Sequence, residues 1–440
     1  MFQNMAMVKP FYGTRYNQNI IQDLDDVTTP PYDIISSREQ QQYYKRNPYN
    51  IIRLELGMEQ SDDSDKNNKY TRAADYLKSW VQESVLQKED RESYYIYQQK
   101  FMINDVSYER NGIVGLVRLQ EFSEGVILPH ENTLSKAKED RYCLMEACNA
   151  NFSPIFSLYR DNDGIIPEYI HTIINQQKID IQFNSSDHCT EFMWVVKEDA
   201  TKKKILDAFT DKQLFIADGH HRYETALNFM KEMKIKNLNH TGDEPYNFIM
   251  MMLVEMDDPG LVVLPTHRII KNTNRFDFKH MQQLLNEDFQ ITVLDEGKKD
   301  AAELESILKA NGKHSFMLFN RTIKRFYLLK LRDYKTIDKV LADHSPSYRY
   351  LDVTILQTLI LDRVLGINAY SLANQDFITY TRSIKEGIDL VLHGKHQIAL
   401  FLNATDVEEI KNVSLSGEKM PQKSTYFYPK LHTGLVIHIF

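Results

Sequence analysis

This chain predicts a mixed α/β (α+β) fold, sheets flanked by helices, on three observations. Leu214-Phe215-Ile216-Ala217 suits a buried strand and runs through Asp218-Gly219 straight into a helical pattern. Phe248 to Val254 is an unbroken apolar run, as expected of a strand covered on both faces. Strand-like and helix-like segments alternate along all 440 residues, enough chain for two or three domains with their own cores.

The elements follow in order. Thr28-Thr29-Pro30-Pro31-Tyr32-Asp33 is extended, because each proline drives its predecessor out of the α region. Ser37 to Tyr44 predicts a short helix, Asn50 to Leu56 a strand, and Glu59 to Asn68 an exposed loop. Ala73, Tyr76, Leu77 and Trp80 lie on one face of an amphipathic helix. Tyr94 to Met102 and Gly112 to Leu119 predict paired strands that turn near Asn104-Asp105. Val126 to Leu128 is a strand that ends in Pro129-His130-Glu131, and the helix predicted over Thr133 to Ala147 is basic near its start. After Phe248 to Val254, Asp257 to Gly260 turns into a strand, Leu261 to Leu264, that ends in Pro265-Thr266-His267-Arg268. Farther on come a helix at Leu304 to Leu308, strands at Phe316 to Phe319 and Phe326 to Leu331, and an apolar helix from Tyr350 to Leu365. Ile398 to Leu402 is a further strand, and Leu435 to Phe440 closes the chain. There is no internal repeat and no Gly/Ser linker, so boundaries fall near Glu124 and Lys271. That gives an N-terminal α/β region (1–124), a phosphate-binding core (125–271) and a C-terminal α/β region (272–440).

Composition narrows the function classes. Hydrophobic content of 42%, charged content of 26% and a net charge of −8 describe a globular protein without a broad nucleic-acid surface. Cys143, Cys148 and Cys189 are three, without metal-type spacing, which fits a reducing cytoplasm. The start lacks a signal-type apolar core, and no run reaches membrane-spanning length. The expected partner is a small phosphorylated metabolite or a nucleotide, with neither nucleic acid nor membrane.

The chemistry centres on residues 218–222. Gly219 permits positive φ, so the amides of the helix start can converge on one point. His220, His221 and Arg222 crowd that positive helix end, which makes a phosphate site with Asp218 at its edge. Tyr223, Ala226, Leu227 and Met230 give the helix one apolar face. Asp218 is also placed to take Mg²⁺ carried in by ADP or ATP. Glu131, directly after a strand, suits a base that takes a proton from a hydroxyl, and His130 suits activation of water. Both join His221 as catalytic candidates. Lys136, Arg141, His267, Arg268 and Lys423 are the further phosphate contacts; Lys430 can also reach an anion, and a strand with solvated lysines over Lys423 to Lys430 is the alternative for that stretch.

Other signals are weaker. Adjacent histidines on a helix point about 100° apart, unlike the i, i+4 pair of a zinc helix, so no protein metal site is expected. Gly417 to Thr425 ends like a phosphate loop but lacks the second glycine, and Pro421 blocks that conformation. Asp23-Leu24-Asp25-Asp26-Val27 resembles the nucleophile pattern of aspartate-based phosphatases. The preceding Asn17 to Gln22 is too polar for the buried strand that pattern needs, which favours an acidic solvated loop.

Five segments stand in the order of one bacterial family, labelled domain of unknown function 1015. They are Pro30 to Asp33, Leu128 to Glu131, Asp218 to Tyr223, Leu264 to Arg268 and Lys423 to Lys430. The resemblance covers nearly the whole chain, and the segments identify kinship without supplying a reaction. More remotely, Asp-Gly-His-His-Arg at a strand-to-helix turn resembles the phosphate-binding motif of the ParB and sulfiredoxin superfamily, which includes ADP-dependent free-serine kinases. That resemblance implies a ParB/sulfiredoxin-like core, a nucleotide held at Asp218 to Arg222 and a glutamate base, with Glu131 the candidate. The unknown-function family's association with serine-biosynthesis genes implies serine or phosphoserine as the small substrate. The expected activity is nucleotide-dependent, serine kinase-like phosphoryl transfer. The alternatives are a phosphoserine phosphatase-type hydrolase and a non-catalytic nucleotide-binding switch.

Overall fold

Every residue from Phe248 to Glu255 is buried, as an unbroken apolar run demands. The computed structural model, which describes residues 6–271, 278–294, 300–367 and 377–440, sets this strand inside a nine-stranded sheet. The chain forms two units. Met1–Pro129, Thr133–Val262 and Pro429–Phe440 make the first; His130–Asn132 and Val263–Tyr428 make the second.

The sheet of the first unit contains β1 (Val8–Lys9), β2 (Tyr94–Ile103), β3 (Val106–Arg118), β4 (Ile127–Leu128), β5 (Ile155–Tyr159), β6 (Ile181–Asn184), β7 (Thr190–Val196), β8 (Leu214–Asp218) and β9 (Phe248–Glu255). Their order is β4-β8-β5-β9-β3-β2-β7-β6, with β1 also paired to β3. The sheet is mixed, since β8 runs parallel to β4 and β9 parallel to β5, whereas β8 and β5 are antiparallel. The hairpin of β2 and β3 turns at Asn104 and Asp105, both with positive φ, as the turn residues there suggest.

Helices of this unit include α1 (Ser37–Arg46), α2 (Ile52–Glu55), α3 (Lys69–Gln82), α4 (Ser135–Cys148), α5 (Ile165–Gln176), α6 (Asp199–Phe209) and α7 (His220–Lys236). Asn68 caps α3 through its side chain, and Ala73, Leu77 and Trp80 are its buried face. Tyr223, Ala226, Leu227 and Met230 of α7 share one core with Leu214, Ile216, Ile249, Met251 and Leu253. Each of the Leu, Ile and Met side chains among them stabilises the fold by about 1.5–3 kcal/mol through area removed from water.

In the second unit, β10 (His267–Lys271), β11 (Phe289–Val293), β12 (Ser315–Asn320), β13 (Phe326–Leu331), β14 (Ile378–Thr381) and β15 (His396–Leu402) form an antiparallel sheet in the order β11-β13-β12-β15-β10-β14. Ile269, Leu304, Met317, Leu328, Val391 and Phe401 are in its core.

Four local readings differ from expectation. Asn50 to Leu56 is no strand: the Asn50 side chain accepts the Ile52 N–H at 2.9 Å and sets the helical turn of α2. His267 and Arg268 do not end a strand but begin β10, paired on both sides. The apolar stretch after Tyr350 is a single α turn, Asp352–Ile355, that widens into a π-helix over Leu356–Asp362. Between Lys423 and Lys430 only Phe427–Tyr428 is extended, and Lys423 has φ 59°. No helix among the described residues is long and apolar enough to cross a membrane.

Candidate functional site

The strand-to-helix turn forms where the sequence puts it. The register of β8 against β5 shifts between Ile216 and Asp218, and such irregularities re-aim the residues that follow. Gly219 then takes φ 98° at the N-cap of α7, a position without a side-chain cap. A Cβ there would stand 2.9 Å from Nη2 of Arg222, so the glycine also admits the guanidinium against its backbone.

Charges at the turn are paired. Lys430 Nζ lies 2.5 Å from Asp218 Oδ2. Burial pushes the Asp218 carboxyl up, but Lys430, Arg222 and His220 outweigh it and hold the group well below the usual carboxylate range. Arg222 Nη1 donates to Ser153 Oγ at 2.9 Å and to the Pro154 carbonyl at 2.8 Å. Ser153 in turn donates to Glu55 Oε1 at 3.1 Å. His220 is buried.

Behind the turn lies a cavity of about 40 Å³, lined by Glu55, Arg141, Asn151, Ser153, Arg222 and Thr225 among others. Glu55 is 3% exposed, and burial raises its carboxyl above the ordinary range against the pull of Arg141 and Arg222. Arg141 Nη1 is 3.4 Å from Glu55 Oε1, its Nη2 is 2.5 Å from Asp140 Oδ2, and its guanidinium lies 4.0 Å from the centre of the Tyr32 ring. The Pro30 to Asp33 segment and Arg141 are therefore parts of one network. Glu55 is the residue the sequence reading missed. Its signal was Asn50, whose side chain favours a turn over the strand that hid the carboxylate.

The other expected residues divide by unit. His221 Nε2 accepts the N–H of Leu134, the residue just before α4, at 2.9 Å. Lys136 is exposed on α4. His130, Glu131, His267, Arg268 and Lys423 fall in the second unit. His130 is buried with Nε2 3.1 Å from Thr425 Oγ1, and the backbone of Glu131 bridges that of Met420. Burial and the neighbouring Arg268 push the His267 imidazole down to about 3, so it is neutral, and its Nδ1 accepts the Leu402 N–H at 3.4 Å. Arg268 is buried and donates to the carbonyls of Thr266 and Lys423. Lys423 is exposed. Asp25, from the phosphatase-like pattern, sits in a loop and pairs with Arg46 at 3.0 Å. Asp218 does not fit the expected Mg²⁺: its carboxylate is already held by an ammonium and faces a guanidinium, a poor surrounding for a third cation.

A family model described as a protein of unknown function (DUF1015) matches residues 8–354. No curated protein matches the chain. Among solved structures, the chain is similar to a conserved hypothetical protein from Pyrococcus furiosus, at 14% identity over 70% of this chain and 89% of that one, with a TM-score of 0.32. A free serine kinase variant in complex with ADP shows 12% identity over 70% and 84% of the two chains, TM-score 0.35. SbnI with a C-terminal truncation, from Staphylococcus aureus, shows 10% identity over 73% and 85%, TM-score 0.34.

Proposed function

The chain belongs to the DUF1015 family of proteins of unknown function, and from that premise we propose that it is a phosphoryl-transfer enzyme with its anion site at Asp218 to Arg222. The observation that carries the reading is the start of α7 behind positive-φ Gly219, which has no side chain of its own to occupy the turn, with Arg222 folded against it and Lys430 paired to Asp218. Helix-start amides with a guanidinium and an ammonium nearby make a phosphate cradle. The nucleotide and the hydroxyl substrate, serine, are the ones the motif resemblance implies.

Phosphoryl transfer needs positioning and charge neutralisation more than covalent chemistry. In the forward direction the serine oxygen attacks the terminal phosphorus of the nucleotide. The new O–P bond forms as the bond to the leaving nucleotide oxygen breaks, and a carboxylate takes the hydroxyl proton. Two carboxylates are candidates for that base. Glu131 is the one expected from the sequence; Glu55 shares the cavity with Arg222, and burial raises its carboxyl above the ordinary range, which makes it a stronger base. We favour Glu55.

Nucleotide-consumption and phosphate-release assays with serine, phosphoserine, ADP and ATP, run side by side, test the reading. Transfer requires serine-dependent nucleotide consumption with phosphoserine formed. Phosphate release from phosphoserine without nucleotide supports the hydrolase instead. Nucleotide binding without turnover leaves the switch.

A further inference from the structure

Three ionisable side chains outside the Asp218 turn converge within the first unit. Asp187 lies in the loop between β6 and β7, Glu191 is the second residue of β7, and His432 belongs to the C-terminal segment. One ligand atom from each lies within 4.8 Å of the others. His432 Nε2 stands 3.5 Å from Asp187 Oδ1 and 3.7 Å from Glu191 Oε1.

Two observations make this more than an acidic patch. Glu191 is 0% and His432 3% exposed, yet neither ring nitrogen of His432 nor Oε2 of Glu191 has a hydrogen-bond partner among the described residues. Buried polar atoms of that kind are rare and call for an occupant or a proton. The spacing also suits an occupant. Ligand bonds of about 2.0–2.2 Å place two tetrahedral ligands about 3.4 Å apart, close to the separations from His432 Nε2.

The surrounding hydrogen bonds aim the carboxylates. Gln99 Nε2 donates to Glu191 Oε1 at 3.2 Å, and Ser185 Oγ donates to Asp187 Oδ1. Partners that fix the ligands' orientation are a regular part of metal sites. Asp187 keeps 36% of its side chain exposed and gives the cluster its opening to solvent.

We propose that Asp187, Glu191 and His432 bind one divalent transition-metal ion of the Zn²⁺ type, with a further position open to water. One imidazole with two carboxylates selects such an ion over Mg²⁺ or Ca²⁺, which favour oxygen alone. The sequence hid the set because Asp187 and Glu191 sit in a hairpin and His432 is remote from both in the chain. The site stands independently of the phosphoryl-transfer reading, and its test needs no nucleotide.

Full-length chain, stripped with a chelator, is titrated with Zn²⁺ alone against a chromophoric competitor, and metal content is measured after gel filtration. The expected result is one Zn²⁺ per chain, bound at least a hundredfold more weakly by His432→Gln. Asp187→Asn, a change on a partly exposed loop, guards against a misfolded His432 variant. It should weaken binding at least tenfold while the metal-free melting temperature stays at the wild-type value. Absence of stoichiometric Zn²⁺ overturns the proposal, as does wild-type affinity in both variants. A His432 imidazolium that titrates by NMR without response to Zn²⁺ makes the cluster an ion pair and overturns it too.

Discussion

The cationic segments around Gly219 and around His267 differ in where the backbone stands. At Gly219 a strand has just ended, so Arg222 lies on a helix start and faces a cavity. At His267 a strand begins, with neighbours on both sides, so His267 and Arg268 are enclosed by their own sheet. The guanidinium of Arg268 serves backbone carbonyls, whereas that of Arg222 joins a polar network with a carboxylate, a hydroxyl and an unfilled volume beside it. A cation next to a strand becomes a ligand group only where the strand releases it.

Variants of the two segments break or sharpen this contrast. The largest effect is expected from Glu55→Gln, which keeps charge-neutral hydrogen bonding but removes the base. Turnover should fall about 10²–10⁴-fold with little change in nucleotide affinity, and the wild-type rate should rise with pH as the raised Glu55 carboxyl ionises. Parallel kinetics on Glu131→Gln decide between the two bases: a comparable loss there, with an active Glu55 variant, moves the role to Glu131.

Next in size is Lys430→Met, which leaves Asp218 beside Arg222 without its closest partner. Thermal unfolding at pH 7 should show a loss of about 2 kcal/mol, less than for a fully buried pair that loses one member because both side chains keep some exposure. Because the Asp218 pKa is depressed in the fold, its stabilisation is present above the ordinary carboxylate pKa and is lost as pH falls through the depressed value. The gap between wild type and variant should therefore close in strong acid. A gap that persists unchanged there assigns the loss to packing.

His267 gives the opposite region its own signature. Its folded pKa of about 3 lies below the ordinary imidazole value, so the unfolded chain takes up the proton first. Stability should drop by about 1.4 kcal/mol per pH unit as pH falls from about 6.5 toward 3. Chemical unfolding of His267→Gln should lack that slope; an identical slope removes the assignment. The smallest change is expected for His221→Ala, about 0.5–1 kcal/mol from the lost exposed hydrogen bond to the Leu134 N–H. A hundredfold loss of nucleotide affinity in that variant would restore His221 as a direct phosphate contact.

Much of this was legible in the residues. The strand at Leu214, the positive-φ glycine and the apolar face of α7 follow from patterns among close neighbours in the chain, and they fold as the patterns require. Long-range pairings were not legible. That Lys430 meets Asp218, or that Tyr32 covers Arg141, depends on sheet order and loop paths between remote segments. Glu55 was hidden by a local error, an Ile-Ile-Arg-Leu run read as a strand where one asparagine side chain set a turn. His267 was misplaced for a related reason: the sequence locates a cation near a strand end but not which side of the break it falls on.

The most direct measurement is calorimetric titration of ADP and ATP into the wild-type chain, Arg222→Ala and Arg268→Ala. Removing a charged hydrogen-bond donor from the cradle should weaken binding by about 2 kcal/mol, roughly thirtyfold, in Arg222→Ala alone. Arg268→Ala should bind as the wild type does. Equal affinity in all three chains, or a loss confined to Arg268→Ala, contradicts an anion site at the start of α7.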